Sequence, residues 1–211
     1  TNEILINRRL RIVVYTRRKA MANDSSTAFG FRPLKAVGQQ DYNAGLGEWM
    51  KGSGSAAIYH NELCYLTTGG VVLSATVSTT PNIGVLNGSF YTDPTSSKPT
   101  WSNYAPSVAA SDHTCLINDN PQQMFECMTL LTNYTNPANS VGGCSPIVVG
   151  TGLTTSPFTS RNSLGTVGTD DQIKILGLTR DVGHQDVSVA GSVWRVMINK
   201  HILGNNVTGV A

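Results

Sequence analysis

Apolar and polar positions along this chain alternate in short runs, and no stretch sustains the 3.6-residue period of a helix. Leu10-Arg-Ile-Val-Val-Tyr15 predicts one strand, Ala56–His60 and Glu62–Thr67 two more, and Val71–Ser78 a fourth. Ile83–Thr92 contains Asn87-Gly88, a hairpin dipeptide between apolar runs, so a turn is expected there. Thr114–Asn118 and Gln123–Leu131 follow. In the latter, Met124, Glu126 and Met128 alternate with Phe125, Cys127 and Thr129. Asp171–Arg180 and Val193–Leu203 complete the set, with Ile173 and Ile175 sharing a face. Between these lie predicted loops: the Gly-rich stretch Phe29–Gly54, Pro94–Pro106 with Trp101 and Tyr104, the polar Thr132–Gly143 with at most one helical turn, and residues 150–170. About eight to ten strands with turn signals between them predict an all-β fold, an antiparallel β-sandwich or jelly roll with long polar loops.

Composition narrows the class. The 211 residues suit a single domain. Charged residues are 13%, against about 25% in an ordinary soluble domain. Ser, Thr and Asn, 59 residues together, take their place. Helical bundles and coiled coils are excluded, and a hydrophobic share of 40% with a net charge of +2 argues against disorder.

The charge is unevenly placed. Residues 1–20 hold Arg8, Arg9, Arg11, Arg17, Arg18 and Lys19 against Glu3, a net +5. The remaining 191 residues hold nine basic and twelve acidic side chains, a net −3. The expected organisation is a basic N-terminal arm or upstream extension over 1–20 and a β-sandwich body over 21–211. The body's charge predicts no nucleic-acid partner. No apolar run approaches the ~18 residues of a membrane span. Leu10–Tyr15 is too short for a signal-peptide core and is broken by Arg11, so a soluble, unexported chain is expected.

Candidate chemistry is sparse, and an enzyme is not expected. Cys64, Cys115, Cys127 and Cys144 have irregular spacings, which predicts buried free thiols rather than a metal site or a disulfide set. Gly142-Gly143-Cys144-Ser145 resembles the nucleophile turn of chymotrypsin-like cysteine proteases, and His60, then Asp93 or Asp112, then Cys144 stand in the matching order. Pro146, with no N–H to offer an oxyanion, weakens that reading. Asp170-Asp171 is read as a solvated turn rather than a glycosidase pair, and Asp112, Asn118, Asp119 and Asn120 do not have EF-hand spacing. No cofactor or metal is expected. Trp101, Tyr104, Tyr134 and Phe158 stand as isolated aromatics in polar loops, suited either to anchoring a partner or to packing beneath the loops.

Several phrases carry a resemblance: Gly30-Phe-Arg-Pro33, Gly88-Ser-Phe-Tyr-Thr-Asp-Pro94, Lys98-Pro-Thr-Trp-Ser-Asn-Tyr104, Asp119-Asn-Pro-Gln-Gln-Met-Phe-Glu126, Ile175-Leu-Gly-Leu178 and Val196-Met-Ile-Asn-Lys-His-Ile-Leu203. As a set they resemble small virion structural proteins of aquatic tailed bacteriophages, over about Phe29 to Leu203. The resemblance implies a capsid decoration or cement protein on the outer surface of an icosahedral head, located on the virion and in the host cytoplasm during assembly. Its implied partners are the major capsid protein and copies of itself, with no membrane. The contact candidates are Trp101, Tyr104, Arg8, Arg9, Arg17 and Arg18. Two alternatives stand beside it: a carbohydrate- or host-surface-binding β-sandwich of a fibre or tail, with Trp101 and Tyr104 stacking on sugar, and the cysteine protease.

Overall fold

The computed structural model describes residues 23–38, 46–75, 80–132 and 140–204. The predicted arm, including Arg8, Arg9, Arg17 and Arg18, and the aromatic Tyr134 lie outside the described residues. Thirteen strands are formed among the described residues: β1 (Arg32–Ala36), β2 (Gly47–Lys51), β3 (Leu63–Thr67), β4 (Val71–Ser74), β5 (Asn82–Thr92), β6 (Pro99–Ser102), β7 (Thr114–Asn118), β8 (Gln123–Met128), β9 (Cys144–Ser145), β10 (Ile147–Val148), β11 (Ser163–Leu164), β12 (Ile173–Leu178) and β13 (Val193–Ile198). A 3-10 turn, Val182–His184, precedes β13 and is capped by the Asp181 side chain, which accepts from the Gly183 N–H. The fold is all-β. Its pairing pattern does not specify a jelly roll.

One sheet runs β1-β8-β13-β12-β9 and another β3-β4-β2-β7-β5-β6. Alternation sorts their side chains in the usual way. Phe125 and Cys127 of β8, Trp194, Val196 and Ile198 of β13, and Ile173 and Ile175 of β12 all face Leu63 of β3 and Val85 of β5 across one buried layer. Phe31 meets Phe125 edge to face there, with ring centroids 6.4 Å apart. The short pair β10–β11 adds Ile147 and Leu164 to the same layer. This layer is the core of the sandwich.

The second sheet also closes on itself. β3 pairs with β4, β4 with β2 in parallel, β2 with β7, β7 with β5, and β5 again with β3. The ring encloses a second core of Cys64, Leu66, Val72, Ile83, Leu86, Cys115 and Ile117, with Trp49 packed on it. One strand can serve both cores because β5 is bulged. Its register slips opposite Cys64 and Tyr65, so Ile83 and Leu86 point into the ring while Val85 points into the sandwich. Gly84 sits at that slip, where a Cβ would strike the Asn118 carbonyl.

The structure corrects several sequence expectations. Asn87-Gly88 does not turn a hairpin: β5 runs straight through it, with a second register slip between Leu86 and Gly88. Pairing with β7 on one side and with β3 and β6 on the other overrides the local turn preference. Phe29–Gly54 is not all loop but contains β1 and β2, whose partners lie far along the chain. Pro94–Pro106 contains β6. Residues 150–170 are not wholly at the surface, since Ser160, Asn162, Ser163 and Leu164 are buried. Ala56–His60 forms only isolated bridges, through Ile58 to Ala105 and His60 to Thr159.

Candidate interaction surface

Outward-facing residues of the ring sheet fall into register across four strands. Met50 of β2 stands opposite Thr114 of β7, Thr114 opposite Phe90 of β5, and Phe90 opposite Trp101 of β6. Three of the four are large, apolar and open to solvent: Met50 is 56% exposed, Phe90 46% and Trp101 54%. Single exposed apolar residues are commonplace, but a contiguous group is a mark of an interaction site. Neighbouring strands are about 4.8 Å apart, so the row spans roughly 14 Å over the convex outside of the ring.

Local chemistry holds the row in place. The bulge at Asn87 brings Gly88 beneath the indole of Trp101, and only a residue without a Cβ leaves room for the ring. The turn from β5 to β6 is fixed by Asp93, whose carboxylate accepts from the Thr95 N–H at 2.8 Å and the Ser96 hydroxyl at 2.9 Å. Asp112 accepts from the N–H and hydroxyl of Thr92, the hydroxyl at 2.6 Å. These hydrogen bonds hold both carboxyls below the usual carboxylate range. Asp112 and the exposed Glu48 flank the apolar row, and Lys98 lies at its β6 end.

Trp101 and Tyr104 do not act together. Tyr104 stacks on Phe158 at 4.2 Å and lies parallel to Tyr59 at 6.3 Å, half-buried. Its carbonyl accepts from the Ser89 hydroxyl, and the neighbouring Asn103 amide donates to the Pro157 carbonyl. Tyr104 and Phe158 therefore tie loops to the ring, and Trp101 remains outward. Met50 and Phe90 escaped the sequence reading. Their only signal is register with Trp101, which needs β2 and β6 to be known as strands.

The protease candidates are scattered. Cys144 lies in β9 and its backbone pairs with Gly168. His60 points Nδ1 at the Asn87 carbonyl, 2.9 Å away, and Asp112 is engaged with Thr92. The structure does not bring the three into one hydrogen-bonded set. The four cysteines are free and buried. Burial pushes the Cys64 and Cys127 thiols well up and the Cys115 thiol to about 12. Of the calcium candidates, Asp119 accepts from the Trp49 indole N–H at 3.0 Å, and Asn120 accepts from the Gln122 N–H. Among the described residues no three His, Cys, Asp or Glu side chains group as metal ligands, and no helix is long and apolar enough to cross a membrane.

No protein-family model, curated protein or solved structure matches this chain.

Proposed function

We propose that this chain is a virion structural protein, a decoration or cement protein that binds the major capsid protein on the outer surface of an icosahedral phage head and associates with copies of itself. The observation that carries the reading is the outward row Met50, Phe90 and Trp101 on a rigid, paired sheet. Large side chains that lose little freedom on docking dominate binding energy, and Trp leads them. The abundance of Ser, Thr and Asn supports it further, because short side chains lose little entropy when ordered at an interface. The resemblance in the phrases around Phe90 and Trp101 points the same way.

Mass spectrometry of purified particles with copy number tests the reading. Hundreds of copies per particle are expected. A dozen or fewer places the chain at a tail or vertex, and its absence overturns the proposal. The exposed indole also favours the second reading, stacking on a sugar ring of a host surface. Glycan-array binding that is abolished in W101A, together with low copy number, would select it.

A further inference from the structure

A sheet edge presents unpaired backbone groups, and native edges are blunted by charge, proline, bulges or brevity. Among the described residues, both edges of the five-stranded sheet are blunted. β1 carries Pro33 and Lys35 and a register break between Pro33 and Ala36. β9 has two residues, and Cys144 is bridged to Gly168. The ring closes most of the other sheet and leaves β6 as its outermost strand, paired with β5 alone. After Pro99, β6 reads Thr100-Trp101-Ser102, with no charge. The apolar row ends at this edge.

An uncharged, β-branched strand suits such an edge, and the chain holds one outside the described residues. Ile12-Val-Val-Tyr15 has four residues, as β6 does. It is flanked by Arg8, Arg9 and Arg11 on one side and Arg17, Arg18 and Lys19 on the other. One carboxylate adjoins the Pro99 end of β6: Asp93 holds the turn, whereas Asp112, bonded to Thr92, lies on the β7 side of β5. Lys98 is the cation beside Asp93.

We propose that residues 10–15 of one copy add as a strand to the β6 edge of a second copy, with flanking arginines meeting Asp93. The inference rests on the self-association in the reading above. A second copy is the recipient because of where the arm is anchored. Asn23 is tied to the Asp186 and Ala190 carbonyls between β12 and β13, on the other sheet. The eight steps from Tyr15 to Asn23 span at most roughly 29 Å. The tether lies on the five-stranded sheet and β6 on the ring sheet, so a neighbour's β6 is taken as the recipient.

Amide hydrogen exchange and light scattering on the full chain, V13P and W101R test it. The proline removes a backbone donor from the added strand without touching the body. The full chain is expected to be oligomeric, with the Trp101 amide, which faces the open edge, exchanging about tenfold or more slowly than in V13P. Both variants are expected to be monomeric, V13P with the same melting temperature as the chain starting at Met21. Unchanged β6 exchange and subunit number in V13P overturn the proposal. So does β6 protection that persists in a full-length monomer at every concentration. Particle occupancy is scored separately: absence from particles defeats the virion reading whatever the oligomer does, and unaltered β6 exchange defeats this one whatever the particles show.

Discussion

The indole of Trp101 lies over Gly88, so close that a Cβ there would stand 2.5 Å from Cη2 and 2.7 Å from Cζ2. The ring's outward pose therefore depends on a glycine in the strand opposite. Gly88→Ala is expected to lift the indole, changing its fluorescence emission and weakening particle binding by roughly tenfold, the equivalent of about 1.4 kcal/mol. The fold should survive, since the two closest contacts are with a side chain half open to solvent and the third, the Ser102 carbonyl oxygen at 2.9 Å, needs only a small shift of the edge strand. Unaltered emission and binding would show that the pose does not matter.

Two tryptophans separate interface from core. Trp194 is fully buried in the sandwich layer, its indole N–H donating to the Ser192 hydroxyl at 3.1 Å. W194A should cost about 3–5 kcal/mol in denaturant unfolding. W101A should cost under about 1 kcal/mol, because its side chain is 54% exposed, while still reducing particle occupancy. Comparable stability losses in the two variants would make Trp101 a packing residue.

Acid should loosen the ring. Burial pushes His113 and His201 down to about 4 from their ordinary 6.5, Lys51 adding to the effect at His113 while Asp112 opposes it there and Asp119 at His201. Neither ring nitrogen of His113, nor Nε2 of His201, has a hydrogen-bond partner. The unfolded chain takes up these protons below 6.5 and the folded chain only near 4, so stability is full above 6.5 and falls as the pH drops from 6.5 to about 4. Each histidine contributes at most roughly 2–3 kcal/mol to that slope. Buried Glu62, pushed upward, works the other way, favouring the fold at low pH and losing that contribution as the pH rises through its folded value. Urea midpoints between pH 4 and 7 measure the balance, and H113Q should flatten part of the acid limb.

Thiol reagents should find nothing to react with in the native chain. All four cysteines are buried, and desolvation suppresses the thiolate at Cys64, Cys115 and Cys127. Labelling is expected only at the rate of unfolding. C144A should fold and join particles as the parent does, and loss of a proteolytic activity in C144A would revive the enzyme reading.

Strands whose own residues alternate were legible from sequence. Thr114–Asn118 was bounded correctly, and period two alone sorted the alternating residues of β8 and put Ile173 and Ile175 of β12 on one face. The free, buried cysteines followed from spacing. Strands that exist because of a distant partner were not legible. Gly47–Lys51 reads as glycine-rich loop, yet it lies between β4 and β7 and closes the ring. Asn87-Gly88 has the local chemistry of a turn, and strands on both sides of β5 hold it extended instead.

The candidate surface shows the same division. Composition and alternation by themselves determined an all-β chain with polar loops, a charge-poor body and a basic first twenty residues, because those properties are sums over local choices. Tertiary structure alone decided that Trp101 faces solvent while Tyr104 packs beneath a loop, and that Met50 and Phe90 join Trp101 in one row. The physical reason is register. A cross-strand row is set by which strands pair and by how many bulges intervene, and a slip of one residue sends a side chain to the opposite face.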